Sequence, residues 1–387
     1  MRVTTYAYPW DLARIGVERA LQEIVSCGID ALDLASTYHP IDTLSPRDGS
    51  PRVFTNARGA VYFPARTERY GRIQPSVAAP EICAVWPEVA KHATKLDLEI
   101  SAWTITLYQP WIVDAHPECA RTLPSGDPIG SGVCPASDDF REYFAALCAD
   151  IVDQFAVSMI RLEGLAAPTY DYGWLRPRVL VEVSPLAGEL LAICFCVSCC
   201  RRGIDEGLDV EALRQLVNDA IVAEIEDPAG TPERAANLAA DAELHAFLVQ
   251  HERASVELAR IAVSRLDAAT APRLSTMVWT PYSQLLDDHT RSDLQDELAL
   301  AVDQLVGVSV HDAQRLRSSS ALSERPVEFG VLLAPLHSPA TAAGAERIER
   351  GLRGAAELGA SEISLYNYGL LREKDVRDLV TAVRAPL

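Results

Sequence analysis

The sequence predicts a single (β/α)8 barrel, a TIM barrel, spanning residues 1–387. Three observations carry that prediction. Eight short β-branched runs alternate with segments of helical period. Each run is nearly continuously apolar, as strands are when helices cover the sheet on its outside. The length of 387 residues suits one large α/β domain with long loops. An open doubly wound sheet fits less well, because no Gly-rich phosphate turn follows the first run.

The elements follow in order. Val3–Tyr8 reads as the first strand, and Val17–Cys27 as an amphipathic helix stopped by Gly28. Ile29–Ala35 is the second strand, running into Tyr38 and His39. Residues 40–79 are rich in Pro, Gly, Arg and Ser, show no periodicity, and read as a long functional loop. A helix over 81–96 leads to a third strand, Leu98–Thr104, and a second long loop extends to about Ser137. Asp138–Phe155 is a well-patterned helix with Ser137 or Asp138 as its cap, and Val157–Glu163 is the fourth strand. A third long loop follows, then a helical insertion over about 205–267, broken near Asp227-Pro228-Ala229-Gly230. Arg273–Trp279, Gln304–Val310, Val327–Leu333 and Glu362–Tyr366 are strands five to eight, with helices over 340–358 and 373–383.

Composition narrows the function. A hydrophobic share of 49% and a charged share of 23% are those of a globular chain. The balance of 35 basic against 54 acidic residues, a net charge of −19, argues against nucleic-acid and anionic-membrane surfaces. The N-terminus lacks the pattern of a signal peptide, and no apolar run reaches membrane-spanning length. Nine cysteines, an odd number, favour reduced thiols and metal over a disulfide framework. The expectation is a soluble cytoplasmic protein, alone or as a homo-oligomer, acting on a small molecule or oligosaccharide.

In a barrel of this kind the chemistry lies at the C-terminal ends of the strands. The polar and aromatic residues there are Tyr8 and Asp11, then Asp33, Tyr38, His39, Trp103, Glu163, Trp279, Tyr282, His311, Asp312 and His337, and last Tyr366, Asn367 and Tyr368. Rings together with carboxylates, amides and imidazoles suit a carbohydrate, whose C–H faces stack while its hydroxyls need directional hydrogen bonds. Glycosidic cleavage needs a proton donor and a second carboxylate. Glu163 with Asp312 or Asp33 supplies them. Three structural alternatives compete: an ion pair of Glu163 with Arg161 or Arg141, helix capping by Asp312, and plain hydrogen-bonding roles for His39 and His337. No H-E-x-x-H, P-loop or G-x-S-x-G pattern occurs. The run Cys194-Phe195-Cys196-Val197-Ser198-Cys199 places three thiols at C-x-C-x2-C spacing, suited to one tetrahedral zinc and incapable of complete mutual pairing.

Cys134-Pro135-Ala136-Ser137 before Phe140-Arg141-Glu142-Tyr143, a strand ending in Glu163, and then C-x-C-x2-C resemble the barrel of family 42 glycoside hydrolases (β-galactosidases). They resemble still more the glycoside-hydrolase-like barrel proteins of many bacterial genomes. The likeness by motif covers roughly residues 1–205. It implies a structural zinc held by Cys134, Cys194, Cys196 and Cys199, with Glu163 as acid/base. Two departures stand out: Leu162 replaces the family's Asn before that Glu, and Leu333-Ala334-Pro335-Leu336-His337 holds no carboxylate where the family has its nucleophile. The expectation is therefore a glycosidase with Glu163 as general acid and Asp312 as its second carboxylate. The competing expectations are a sugar-binding barrel without catalysis and a non-hydrolytic lyase or isomerase.

Overall fold

The structure, a computed structural model, describes residues 1–47, 52–56, 59–165, 170, 178–278, 283–308, 328–333 and 342–385. Eight parallel strands close on themselves: β1 (Arg2–Ala7), β2 (Ala31–Tyr38), β3 (Glu99–Ile105), β4 (Met159–Glu163), β5 (Arg273–Val278), β6 (Gln304–Gly307), β7 (Glu328–Leu333) and β8 (Glu362–Leu365). Each pairs in parallel with the next, and β8 pairs with β1. The barrel is the one expected from the sequence.

The outer core forms where the outward strand residues meet the helices. Helix Val17–Ser26 buries Ala20, Leu21 and Ile24 on one stripe, and Gly28, at φ +86°, takes the left-handed turn back to β2. Helix Asp138–Gln154 starts at Ser137, whose Oγ accepts from the Phe140 N–H, with Asp138 and Asp139 in its first turn. Between β4 and β5 lie helices Val210–Glu226, Thr231–Ala239 and Ala242–Ala262. The last packs on Asp138–Gln154 and Asp288–Ala301, and so fills the place of the helix between those two strands. Among the described residues, no helix is long and apolar enough to cross a membrane.

The loops after β2 and β3 hold strand pairings that their sequence does not announce. Residues 40–79 contain a hairpin, Ile41–Ser45 with Arg52–Asn56, and a short strand Ala60–Val61 antiparallel to β2. The loop after β3 holds a second hairpin, Ala120–Thr122 with Pro128–Val133. Their period-2 pattern escapes notice because the inward positions of the first, Thr43 and Ser45, are polar yet buried.

Inside the barrel, alternate residues point inward and stack in layers. One layer is built on Arg161 of β4, which has no solvent exposure. It donates to Asp33 of β2 at 3.0 Å, Ser275 of β5 at 3.2 Å, Gln304 of β6 at 3.0 Å and Glu362 of β8 at 2.7 Å. Five strands are thus tied across the barrel axis by one guanidinium. Glu163 stands two residues further along β4, on the same face and nearer the C-terminal mouth.

Candidate active site

Glu163 ends β4, part-buried, and its Oε2 accepts a 2.5 Å hydrogen bond from Trp103 Nε1 on β3. Neither expected arginine pairs with it: Arg161 serves Asp33 and Glu362, and Arg141 bonds Glu257 at 2.6 Å. Burial pushes its pKa up to about 7, and the Trp103 bond only partly opposes this. A carboxyl protonated near neutrality can give a proton to a leaving oxygen. No charge of another carboxylate among the described residues contributes to that shift.

Around it lies an aromatic wall. The Tyr8 and Tyr366 hydroxyls are 2.6 Å apart, and Tyr38 reaches Tyr366 at 3.4 Å. Burial raises all three phenols above their ordinary pKa, so they stay neutral and able to donate. Tyr8, Trp10 and Phe54 stack in series, each pair 4.3 Å apart. Tyr6 meets Trp103 edge-on at 4.8 Å, and its buried hydroxyl has no hydrogen-bond partner among the described residues. Of these, Tyr6, Trp10 and Phe54 were not among the site residues expected. Tyr6 was findable by alternation along β1, whereas Phe54 arrives on a hairpin that the loop's sequence conceals.

The remaining expected residues divide. Tyr38 and Trp103 belong to the wall. His39 stacks on Tyr38 at 4.2 Å, and burial lowers its pKa. Asp33 sits below the mouth with no exposure, committed to Arg161, which makes it a structural partner rather than a sugar contact or second carboxylate. Asn367 is fully buried; its Oδ1 accepts from the Gly369 N–H at 3.0 Å, and its Nδ2 has no partner among the described residues. Trp279, Tyr282, His311, Asp312 and His337 lie outside the described residues.

Gly369 closes this side of the mouth. A Cβ there would overlap the carboxyl of Asp11, a buried group pushed up to about 7 by desolvation. Gly369→Ala is expected to cost about 1–3 kcal/mol, read as a shifted denaturation midpoint. A midpoint within error of the parent would show that Asp11 swings clear at no cost.

Cys134, Cys194, Cys196 and Cys199 converge, all buried, with every Sγ within 4.8 Å of the others. The Cys134–Cys199 separation of 3.4 Å is too long for a disulfide. It lies near the edge of a zinc–thiolate tetrahedron, about 3.8 Å for bonds of about 2.3 Å. Two sulfurs accept backbone N–H groups, from Thr122 to Cys194 and from Ala136 to Cys134, both at 3.4 Å. The donor set fits a tetrahedral thiophilic ion with no position left open.

No protein-family profile and no curated protein matches the sequence. Among solved structures, the chain is similar to a β-galactosidase from the psychrophilic Marinomonas ef1, at a TM-score of 0.53 and 15% identity over 99% of this chain and 59% of that one. It is also similar to α-L-fucosidase isoenzyme 2 from Paenibacillus thiaminolyticus, at a TM-score of 0.52 and 12% identity over 99% of this chain and 49% of that one. The chain therefore spans about half to three-fifths of the length of these neighbours. At such identities the likeness is one of fold: the chain shares the barrel on which two glycosidases are built.

Proposed function

We propose that this protein hydrolyses a glycosidic bond, with Glu163 as the general acid that protonates the leaving oxygen. One observation carries the reading. A desolvated carboxyl with a pKa near 7 stands at the mouth, free of any cationic partner among the described residues and held by a single indole N–H. The aromatic wall offers stacking faces, and neutral phenols offer donors for sugar hydroxyls. The two neighbours are named for their action on glycosides, which accords with a carbohydrate substrate. For the second carboxylate we propose Asp312 after strand six. Turnover across a panel of aryl glycosides tests the proposal, with Glu163→Gln as the control.

A second reading has one observation in its favour: among the described residues no other carboxylate acts on Glu163. A barrel that binds sugar without cleaving it would give saturable binding across the same panel and no product.

We further propose a structural zinc ion on Cys134, Cys194, Cys196 and Cys199. Four ligands close its shell, so the ion would contribute folding energy rather than bind substrate. It would pin the loop after β4, through Cys194–Cys199, to the segment before helix Asp138–Gln154, through Cys134. Cys194→Ser is expected to lower bound zinc well below one ion per chain. The melting temperature should fall by several degrees, at about 2 °C per kcal/mol for a chain of this size. Full zinc occupancy in that variant would remove Cys194 from the ligand set.

A further inference from the structure

A cleft of about 470 Å³ opens on the rim of the barrel, and its lining includes neither Glu163 nor the aromatic wall. It lies between helix Val17–Ser26, which follows β1, and helix Glu373–Arg384, which follows β8. Those two strands pair, and both helices start on the C-terminal face, the face that carries Glu163. Pro46 and Arg47, just past the hairpin strand Ile41–Ser45, complete the cleft. Arg19, Arg47, Arg372, Lys374 and Arg377 line it against two carboxylates, Glu23 and Glu373. Five cations against two anions leave an excess of three positive charges, in a chain whose net charge is −19. Against so acidic a background, that cluster draws an anion.

The local chemistry suits a phosphate group. Neither helix is capped by a side chain at its start, and Glu373 and Lys374, the first residues of the second helix, line the cleft. Uncapped N–H groups and the positive end of a helix dipole favour an anion. Arg47 is an independent sign. It is 4% exposed, its Nη2 donates to the Tyr368 carbonyl at 2.9 Å, and its Nη1 meets Glu23. Its Nε has no hydrogen-bond partner among the described residues. The cations also act on one point: Arg377, which bonds Glu373, together with Arg47 and Arg19 holds that carboxyl below its usual range. The pairs that engage the outer cations are weak. Arg377 with Glu373 and Lys374 with Asp378 are well-exposed pairs one helical turn apart, which contribute little. A dianion that reaches several cations at once displaces them. Ile15 and Pro46 add apolar surface, and the volume leaves room for an organic body beside the phosphate.

We propose that this rim cleft binds a small phosphate monoester. Its phosphate would lie among Arg19, Arg47, Lys374 and Arg377 at the start of helix Glu373–Arg384, and its organic body against Ile15 and Pro46. The same chemistry serves a free metabolite and a phosphate carried on the glycoside itself. Binding is read without turnover, so the proposal stands apart from the hydrolase reading.

Calorimetric titration of the full chain at low ionic strength compares glycerol 3-phosphate, glucose 6-phosphate, inorganic phosphate, glucose and glucuronate. A monoester is expected to bind saturably, glucose not at all, and inorganic phosphate and glucuronate more weakly than the better monoester. Joint substitution of Lys374→Gln and Arg377→Gln should weaken monoester binding about tenfold or more, and added salt should weaken it as well. Both side chains are exposed, so the melting temperature of the double variant should stay near that of wild type. Arg353→Gln, which removes the exposed partner of Glu349 on another helix, should bind as wild type does. Turnover of aryl glycosides with and without a 6-phosphate separates the two sources. A preference for the phosphorylated glycoside that the double variant loses assigns the phosphate to the substrate. Monoester binding without such a preference assigns it to a separate metabolite, and either result supports the cleft as a phosphate site. A chain that binds the monoester and cleaves no glycoside fails the hydrolase reading alone. No monoester binding, or equal binding by the double variant, would overturn the proposal. So would tighter binding of glucuronate or of inorganic phosphate than of either monoester.

Discussion

Glu163→Gln is expected to lower kcat/KM for glycoside hydrolysis by about 10²–10⁴-fold, the usual contribution of a placed proton donor. The substitution keeps shape, and Trp103 Nε1 can donate to an amide oxygen as it does to Oε2. The fold should therefore survive, and the loss would be one of chemistry. The pH dependence follows from the raised pKa. As an acid Glu163 must carry its proton, so the wild-type rate should fall as pH rises through about 7. A rate that instead rose through that pH would make Glu163 a base. Stability offers a second reading of the same group. Its pKa is higher folded than unfolded, so its contribution is fully present below about 4.5 and is lost as pH rises through about 7. Glu163→Gln should therefore match wild type in stability at acid pH and exceed it above pH 7. The excess is at most about 3 kcal/mol, at ~1.4 kcal/mol per pH unit between those limits. Comparing these two proteins isolates Glu163 from Asp11, which titrates in the same range but is common to both. Unchanged hydrolysis by Glu163→Gln would remove this residue from the reaction.

How far the site could be read from the sequence depended on where each strand ends. The strands declare themselves because helices cover their outer faces, which must be apolar. Placing Glu163 at a strand end needed only that pattern, and it holds. Strand β2, however, runs on to Tyr38 instead of stopping near Ala35. That extension sinks Asp33 a layer below the mouth and brings Tyr38 to it. Arg161 shows the same limit from another side. One residue apart from Leu162 and two from Glu163, it looks like a neighbour for the glutamate, but alternation points it across the axis to Asp33 and Glu362. Partners 128 and 201 residues away leave no local trace. The convergence of the cysteines was legible because C-x-C-x2-C sets three thiols at short spacing.

Arg161→Met is expected to be the most damaging single substitution inside the barrel. It removes the hydrogen bonds to Asp33, Ser275, Gln304 and Glu362 together, and strands two carboxylates at 0% and 1% side-chain exposure. Breaking a buried ion pair from one side costs about 3–5 kcal/mol, and here one cation serves two anions. Arg2 offers Glu362 only a longer contact, 3.8 Å, and Asp33 has no second cation among the ion pairs of the described residues. Arg161 now opposes the desolvation that raises Asp33, and it helps hold Glu362 low. Without it both carboxyls should hold their protons to higher pH when folded than when unfolded. The variant should then be least impaired at acid pH and lose ground as pH rises, measured by chemical denaturation at several pH values. Combining Arg161→Met with Asp33→Asn and Glu362→Gln should recover most of the loss, because the charges vanish together. The damage should also reach the mouth. The Arg161 guanidinium lies 5.8 Å from the centre of the Tyr6 ring, Tyr6 abuts Trp103, and Trp103 holds Glu163. A triple variant that regains stability yet shows an altered pH profile for hydrolysis would establish that this layer orients the acid above it. One with the wild-type profile would confine Arg161 to holding the barrel closed.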